Sequence, residues 1–96
     1  MSEEIIPKDQ LNVALKHSPE WDVVGKGIIR QWEFEDFNEA MEFVNTVAEV
    51  AETACHHPDI DIRYNKVRLN LTTHEIGGVT EADVEMAGRI DNLCDE

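Results

Sequence analysis

Apolar residues recur at steps of three and four between Phe37 and Cys55, which predicts a long amphipathic helix. Asp36, with Glu39 three residues later, has the form of a capping box at the start of this helix. Pro58 cannot continue a helix and restricts the residue before it, so we expect the helix to end there. The apolar stripe consists of Phe37, Ala40, Met41, Val44, Val47, Ala48, Ala51 and Cys55.

Two shorter helices are predicted towards the ends of the chain. Leu11, Ala14 and Leu15 form an apolar stripe that follows Pro7, a residue suited to a first helical turn. Thr80 has the form of an N-cap for the last helix. The apolar side of that helix is formed by Ala87, Ile90, Leu93 and Cys94.

Four short segments between these helices predict strands in two hairpins. Residues 21–24 form the first strand, and the glycine-rich turn 25–27 leads into a returning strand. Arg30 interrupts the apolar face of the returning strand, which predicts that this end of the face is open to solvent. The apolar residues of that face are Ile28, Trp32 and Phe34.

The second hairpin follows the long helix. Residues 61–64 form its first strand, with Ile62 and Tyr64 on one side, and residues 65–66 form a turn. Residues 67–74 alternate between apolar and polar, which is typical of a half-buried strand. Hairpins with one apolar face favour helices stacked on that face. The sequence therefore predicts an α+β two-layer sandwich, α-β-β-α-β-β-α, with a four-stranded antiparallel sheet and three helices on one face.

The composition predicts one small domain over residues 1–96, because its 42% hydrophobic content is enough for a packed core. Twenty-one acidic and eight basic residues give a net charge of −13, which repels phosphate backbones and disfavours direct nucleic-acid binding. No apolar run reaches the roughly 18 residues of a membrane span. The first residues lack the basic start and the apolar run of a signal peptide, so we expect a cytoplasmic protein without membrane contact.

The acidic residues are spread along the chain, which suggests a host cytoplasm rich in salt, where screening removes their mutual repulsion. We expect the melting temperature to rise between low and molar salt, because screening stabilises the folded chain against its own charge. Thermal melts followed by circular dichroism at both salt concentrations measure this. A melting temperature that does not rise with salt would contradict the hypothesis.

The two cysteines, Cys55 and Cys94, do not make a disulfide framework. Both fall on predicted helix faces, so we interpret them as small buried hydrophobic residues in a reducing compartment. No cysteine or histidine pair has the spacing typical of structural zinc, and a metal site is therefore not expected.

Three histidines and two carboxylates in the second half of the chain are the candidate chemical groups, because imidazole and carboxylate exchange protons near neutral pH. Glu52 and His56 are four residues apart and would share a helix face, with His57 beside them. His74 lies at a strand end before a Gly-Gly loop. Each group has a structural alternative: the histidines and Glu52 as exposed surface residues, and Asp83 as a capping residue three positions after the N-cap of the last helix.

Taken together, these residues resemble the signature of the pterin-4a-carbinolamine dehydratase family. That signature is an acidic residue, three residues, His-His-Pro, five residues and an aromatic residue, followed by nine residues to a histidine and at least eight to an aspartate. Its positions in this chain are Glu52, His56, His57, Pro58, Tyr64, His74 and Asp83. The likeness covers nearly the whole chain from about Trp21 onward and is weakest over the first helix.

The resemblance implies the same fold, assembly into dimers or dimers of dimers, and no metal or organic cofactor. It implies a lyase of tetrahydrobiopterin metabolism that removes water from a 4a-hydroxytetrahydropterin and yields the quinonoid dihydropterin. By the same resemblance, His56, His57 and His74 would transfer protons and contact the pterin around a shared cavity. Glu52 and Asp83 would orient the imidazoles or bind the amide and amino edge of the pterin, and Pro58 is a further supporting residue.

Two other functions are compatible with the same signature. Some animal relatives also act as dimerisation cofactors of a homeodomain transcription factor, so a binding module without essential catalysis is one alternative. A pterin-handling role in molybdenum-cofactor metabolism is the other. An assay with a synthetic 4a-hydroxytetrahydropterin separates an enzyme from a scaffold.

Overall fold

The computed structural model describes residues 4–94, and its helices and strands follow the predicted order. Within these residues the elements are α1 (Lys8–Ala14), β1 (Asp22–Val24), β2 (Gly27–Glu33), α2 (Phe37–Ala54), β3 (Asp59–Arg63), β4 (Lys66–Leu71) and α3 (Glu81–Cys94). Every strand pair is antiparallel, and the order across the sheet is β1-β2-β4-β3. The predicted α+β architecture is confirmed.

One face of the sheet carries the hydrophobic core. On β4, Val67, Leu69 and Leu71 are buried, whereas Lys66 and Arg68 on the opposite face are exposed. Residues of all three helices join the same cluster, so the helices cover this face and remove its apolar surface from water. The buried helix residues are Leu11, Ala40, Val44, Val47, Ala51, Met86, Ala87 and Ile90. Among the described helices, none has both the length and the apolar character that a bilayer crossing requires.

The long helix α2 begins at the predicted capping box. The Asp36 side chain accepts a hydrogen bond from the Glu39 N–H at 2.9 Å, and the Glu39 side chain accepts one from the Glu35 N–H at 3.1 Å. The buried stripe differs in part from the prediction, because Phe37 and Ala48 are exposed. Ala48 follows a buried valine directly and is turned about 100° away from it around the helix axis. Phe43, Val50 and Ala54 pack against the core as further members of the stripe.

The first hairpin has a tighter turn than predicted. Val24 pairs with Gly27, so Gly27 begins β2 and only two residues form the turn. Gly25, the first of them, has a φ of 59°, a conformation that a residue without Cβ adopts readily. Trp21 lies just before β1 and is buried in the core.

The second hairpin turns one residue earlier than predicted. Arg63 pairs with Lys66, which leaves two residues for the turn, the shortest common hairpin loop. Tyr64 therefore lies in the turn with a φ of 57° and is 68% exposed, although its alternation with Ile62 predicted a strand position. The strand β3 begins at Asp59, two residues before the predicted start.

The prediction that the Arg30 end of the β2 face is open to solvent was wrong. The Asp91 carboxylate, on α3, accepts hydrogen bonds from Arg30 at 2.6 Å and from the Trp21 indole N–H at 2.9 Å. The Arg30 guanidinium lies 4.7 Å from the centre of the Trp32 ring, and the side chains of Arg30 and Asp91 are only 18% and 11% exposed. The sequence pattern missed this pair because its members are 61 residues apart in the chain.

Candidate functional site

The helix α2 ends at Ala54, four residues before the predicted stop. Cys55 adopts the left-handed conformation, with a φ of 56°, and so terminates the helix. The His56 N–H then donates to the Ala51 carbonyl at 3.1 Å, which closes the helix end. Because the chain leaves the helix here, the adjacent His56 and His57 reach different partners.

Glu52 contacts His57 and not His56. The Nε2 atom of His57 lies 2.6 Å from Oε2 of Glu52, and the two side chains are 60% and 78% exposed. The expectation that Glu52 and His56 share a helix face was wrong, because the helix ends between them. Pro58, next in the chain, is buried and leads directly into β3.

His56 contacts Asp83, a fully buried carboxylate in the first turn of α3. The Nε2 atom of His56 lies 2.5 Å from Oδ1 of Asp83. Oδ2 of Asp83 accepts hydrogen bonds from the Thr73 hydroxyl at 2.8 Å and from the Thr80 N–H at 2.9 Å. Buried carboxylates need such partners to offset their desolvation. Asp83 thus makes the capping contact that the sequence offered as its structural role, and it also contacts the imidazole of His56.

The strand β4 ends at Leu71, so His74 lies in the turn that follows and not at the end of the strand. This turn is closed by the Thr73 N–H, which donates to the Gly78 carbonyl at 2.9 Å. Nε2 of His74 lies 3.4 Å from both carboxylate oxygens of Asp59. Both side chains are exposed, and an exposed pair at that distance contributes little stability.

The N-terminal segment packs against the same turn. The Ile6 N–H donates to the Val79 carbonyl at 2.7 Å. The Ile5 side chain lies over Gly78, where an added Cβ would come within 3.0 to 3.1 Å of three Ile5 carbons. The turn that carries His74 is therefore held by the segment that precedes α1.

Side-chain contacts, together with adjacency in the chain, bring the three histidines to one end of the sheet. His56 contacts Asp83, which accepts a hydrogen bond from the residue before His74. His74 in turn reaches Asp59, two residues after His57. The end of α2, the start of β3, the turn after β4 and the start of α3 thus meet in one cluster. The predicted site residues in this cluster are Glu52, His56, His57, Pro58, His74 and Asp83.

Thr80, predicted only as an N-cap, joins the cluster by its bond to Asp83, and two further members were not predicted as site residues. Thr73 donates to Asp83, and Asp59 contacts His74. Their only sequence signal is position, because Thr73 precedes a signature histidine and Asp59 follows the His-His-Pro segment. Tyr64, the signature aromatic, follows the far end of β3, and five strand residues span roughly 17 Å. The fold of the single chain does not bring Tyr64 to the histidines.

Two surface cavities lie among the described residues, and neither includes a histidine of the cluster. The larger, about 840 Å³, lies between the N-terminal segment, α1 and the first turns of α3. The second, about 420 Å³, lies between α2 and α3. Neither is lined by His56, His57 or His74, so the recess expected for a bicyclic ring is not one of these two cavities. The histidine cluster is an open surface site, in which His57 and His74 are exposed.

Among the described side chains, no three His, Cys, Asp or Glu residues are placed to hold a metal ion. Cys55 is exposed, so the prediction that it is buried was wrong. It ends α2 in a left-handed conformation and does not continue the buried stripe. The side chain of Cys94 lies outside the described residues.

The sequence model of the pterin 4 alpha carbinolamine dehydratase family matches residues 4–93. The chain belongs to this family. The matched part includes α1, the region where the resemblance to the signature is weakest.

Bacterial relatives match this dehydratase family member over most of its length. A protein of Thermomicrobium roseum, provisionally named a pterin-4-alpha-carbinolamine dehydratase, is 53% identical over 80 residues, which cover 83% of this chain and 86% of the relative. A protein of Acidobacterium capsulatum with the same provisional name is 51% identical over 90 residues, which cover 94% and 97%.

Two solved structures resemble the fold of this dehydratase family member. The crystal structure of a transcriptional coactivator/pterin dehydratase from Brucella melitensis superposes with a TM-score of 0.87 and 34% identity, covering 94% of this chain and 98% of that one. A pterin dehydratase-like protein described as a RuBisCO assembly factor in the alpha-carboxysome has a TM-score of 0.63 and 21% identity, over 79% of this chain and 88% of the other. The second likeness concerns the fold alone.

Proposed function

We propose that this chain is a dehydratase that converts a 4a-hydroxytetrahydropterin to the quinonoid dihydropterin and water. Family membership and the names of the relatives support the reaction and the substrate class. The observation that carries the catalytic part is the 2.5 Å contact between Nε2 of His56 and the buried Asp83, with two further imidazoles in the same cluster.

The reaction requires one proton to be delivered and another to be removed. Hydroxide is a poor leaving group, so an acid must protonate the C4a hydroxyl as the C–O bond breaks. A base must take the proton from the adjacent ring nitrogen, whose electron pair then forms the C=N double bond. Positioned imidazoles can perform both steps, each worth about 10²- to 10⁴-fold in rate. The step involves no change of oxidation state, and imidazoles supply both proton transfers, so the proposal includes neither a metal nor an organic cofactor.

The proposal assigns proton transfer and pterin contact to His56, His57 and His74. Asp83 would orient His56 from 2.5 Å, and Glu52 would orient His57 from 2.6 Å. Pro58 would support the site by fixing the backbone direction between His57 and the first residue of β3.

Replacing His57 or His74 with alanine is expected to lower the dehydration rate at least about tenfold, because each change removes an imidazole from the proton-transfer cluster. The rate is measured by stopped-flow absorbance on a synthetic 4a-hydroxytetrahydropterin, after subtraction of the spontaneous reaction. His17→Ala is the matched control, since His17 is exposed in the connection between α1 and β1 and should keep full activity. Full activity in both site variants would refute the assignment.

A binding role is the second candidate function. The Brucella melitensis protein is described as a transcriptional coactivator as well as a pterin dehydratase, so one similar protein carries both descriptions. The net charge of −13 disfavours contact with DNA, and a protein partner is therefore the expected target. Assembly into dimers or tetramers, a cytoplasmic location and adaptation to salt stay predictions.

A further inference from the structure

We propose that Thr73 and Thr80 are positioning residues that fix the tautomer of His56 through Asp83, which makes Nδ1 of His56 the proton acceptor of the site. The role of Nδ1 rests on the proposed dehydratase function. The tautomer does not, because it can be measured in the absence of any substrate.

The direction of each hydrogen bond follows from the number of hydrogens available. The Thr73 hydroxyl has one hydrogen, which it donates to Oδ2 of Asp83 at 2.8 Å. The 2.8 Å contact between the hydroxyls of Thr73 and Thr80 must therefore use the hydrogen of Thr80, with Thr73 accepting. Donation runs one way, from Thr80 through Thr73 to Asp83.

The backbone of Thr80 strengthens the same arrangement. Its N–H donates to Oδ2 of Asp83 at 2.9 Å, so two donors converge on that oxygen. Thr73 is 5% exposed, and Thr80 and Asp83 are 0% exposed. In such buried surroundings a lost hydrogen bond leaves an unpaired polar group, so the carboxylate is held firmly from the side opposite His56.

The remaining oxygen of Asp83 determines the state of His56. An ionised carboxylate can only accept, so the 2.5 Å contact at Oδ1 requires a hydrogen on Nε2 of His56. A neutral imidazole carries one N–H, which leaves its electron pair on Nδ1. His57 and His74 face exposed carboxylates, where water competes for the ring nitrogens, so these contacts restrict the tautomer less strictly.

With one imidazole assigned to each proton transfer, the protons of the proposed reaction balance. Nδ1 of His56 takes the proton from the ring nitrogen, and Asp83 stabilises the imidazolium that forms. His57 or His74 donates a proton to the C4a hydroxyl, which leaves as water while the C=N bond forms. Solvent then exchanges protons with both imidazoles and restores the starting state.

The tautomer is tested by a long-range ¹H–¹⁵N NMR spectrum of the histidine rings, recorded where they are neutral. We expect His56 to be protonated on Nε2 alone, with its signals assigned by their loss in His56→Gln. The exposed His57 and His74 should show mixed tautomers. A His56 ring protonated on Nδ1, or as mixed as the exposed rings, would overturn the proposal whether or not the protein dehydrates a pterin.

Thr73→Val removes the hydroxyl and keeps the shape of the side chain. We expect kcat to fall about tenfold with a smaller change in KM. We also expect His56 to become a mixture of tautomers, because a carboxylate that has lost the Thr73 donor can rotate away from Nε2. Thr73→Ser should restore both properties, which a purely structural role of the side chain would not predict. Wild-type kcat and a pure Nε2–H tautomer in Thr73→Val would overturn the proposal.

Thr72→Val is the matched control for this test. Thr72 is the neighbouring residue, and its hydroxyl donates to the Lys26 carbonyl at 2.6 Å, outside the histidine cluster. It should match the wild type in both kcat and tautomer. A wild-type protein that shows the expected His56 tautomer and no dehydratase activity would refute the proposed function and support the positioning by the two threonines.

Discussion

Asp83→Asn is expected to lower kcat for dehydration by about 10²- to 10³-fold, with a much smaller change in KM. An amide offers one acceptor edge and one donor edge where the carboxylate offers two acceptors. The Thr73 hydroxyl and the Thr80 N–H both donate to Oδ2, so they keep the amide oxygen on their side. The amide NH₂ then faces His56, moves its hydrogen from Nε2 to Nδ1, and removes the proposed base.

Asp61→Asn is the matched control for this variant. Asp61 is exposed on β3 and contacts Arg63 at 3.4 Å, so the same chemical change occurs there without a contact to the histidines. Stopped-flow kinetics give kcat, and circular dichroism shows whether each variant is folded. A folded Asp83→Asn protein with kcat within about twofold of the wild type would contradict the role of His56 as the base.

Asp91→Ala is expected to lower the free energy of unfolding by about 2–4 kcal/mol. The substitution leaves the Arg30 guanidinium without its carboxylate and the Trp21 indole N–H without its acceptor. The loss should be smaller than that for a fully buried pair, because the side chains of Arg30 and Asp91 are 18% and 11% exposed and solvent screens them. The melting temperature should fall by roughly 10–25 °C for a domain of this size.

Glu85→Ala provides the comparison, because it removes the same charge from the same helix. Glu85 lies 3.6 Å from Arg89, and both are exposed, so its removal should cost no more than about 0.5 kcal/mol. Both variants reduce the net negative charge equally, so the difference between them isolates the buried contacts. Urea unfolding curves measure both values. Equal losses in the two variants would show that the contacts of Asp91 contribute nothing.

The fold was predictable because its signals are local. The steps of three and four in α2, the cap at Asp36 and the alternation in β4 each lie within a few residues of one another. The pairing of Arg30 with Asp91 was not predictable, because nothing near either residue marks a partner 61 positions away. The position of Tyr64 was missed since an aromatic residue favours strands, whereas the hairpin register placed it in a turn.

The residues of the candidate site were predictable from the sequence, whereas the contacts between them were not. The signature spacing identified the histidines, but the pairing of Glu52 with His57 depends on where α2 ends. That end is set by the left-handed conformation of Cys55, and cysteine, unlike glycine, gives no sequence signal for it. Thr73 was not predicted because a threonine before a histidine carries no distinctive sequence signal. Its role follows from its contact with Asp83, which only the fold creates.

The packing of Ile5 over Gly78 also affects where an affinity tag should be placed. An affinity tag at the amino end is joined only a few residues before Ile5, which packs beside the turn that carries His74. We expect such a tag to lower the measured dehydration rate by crowding His74. Kinetic work is therefore better done with the tag at the carboxyl end, or after a protease has removed it.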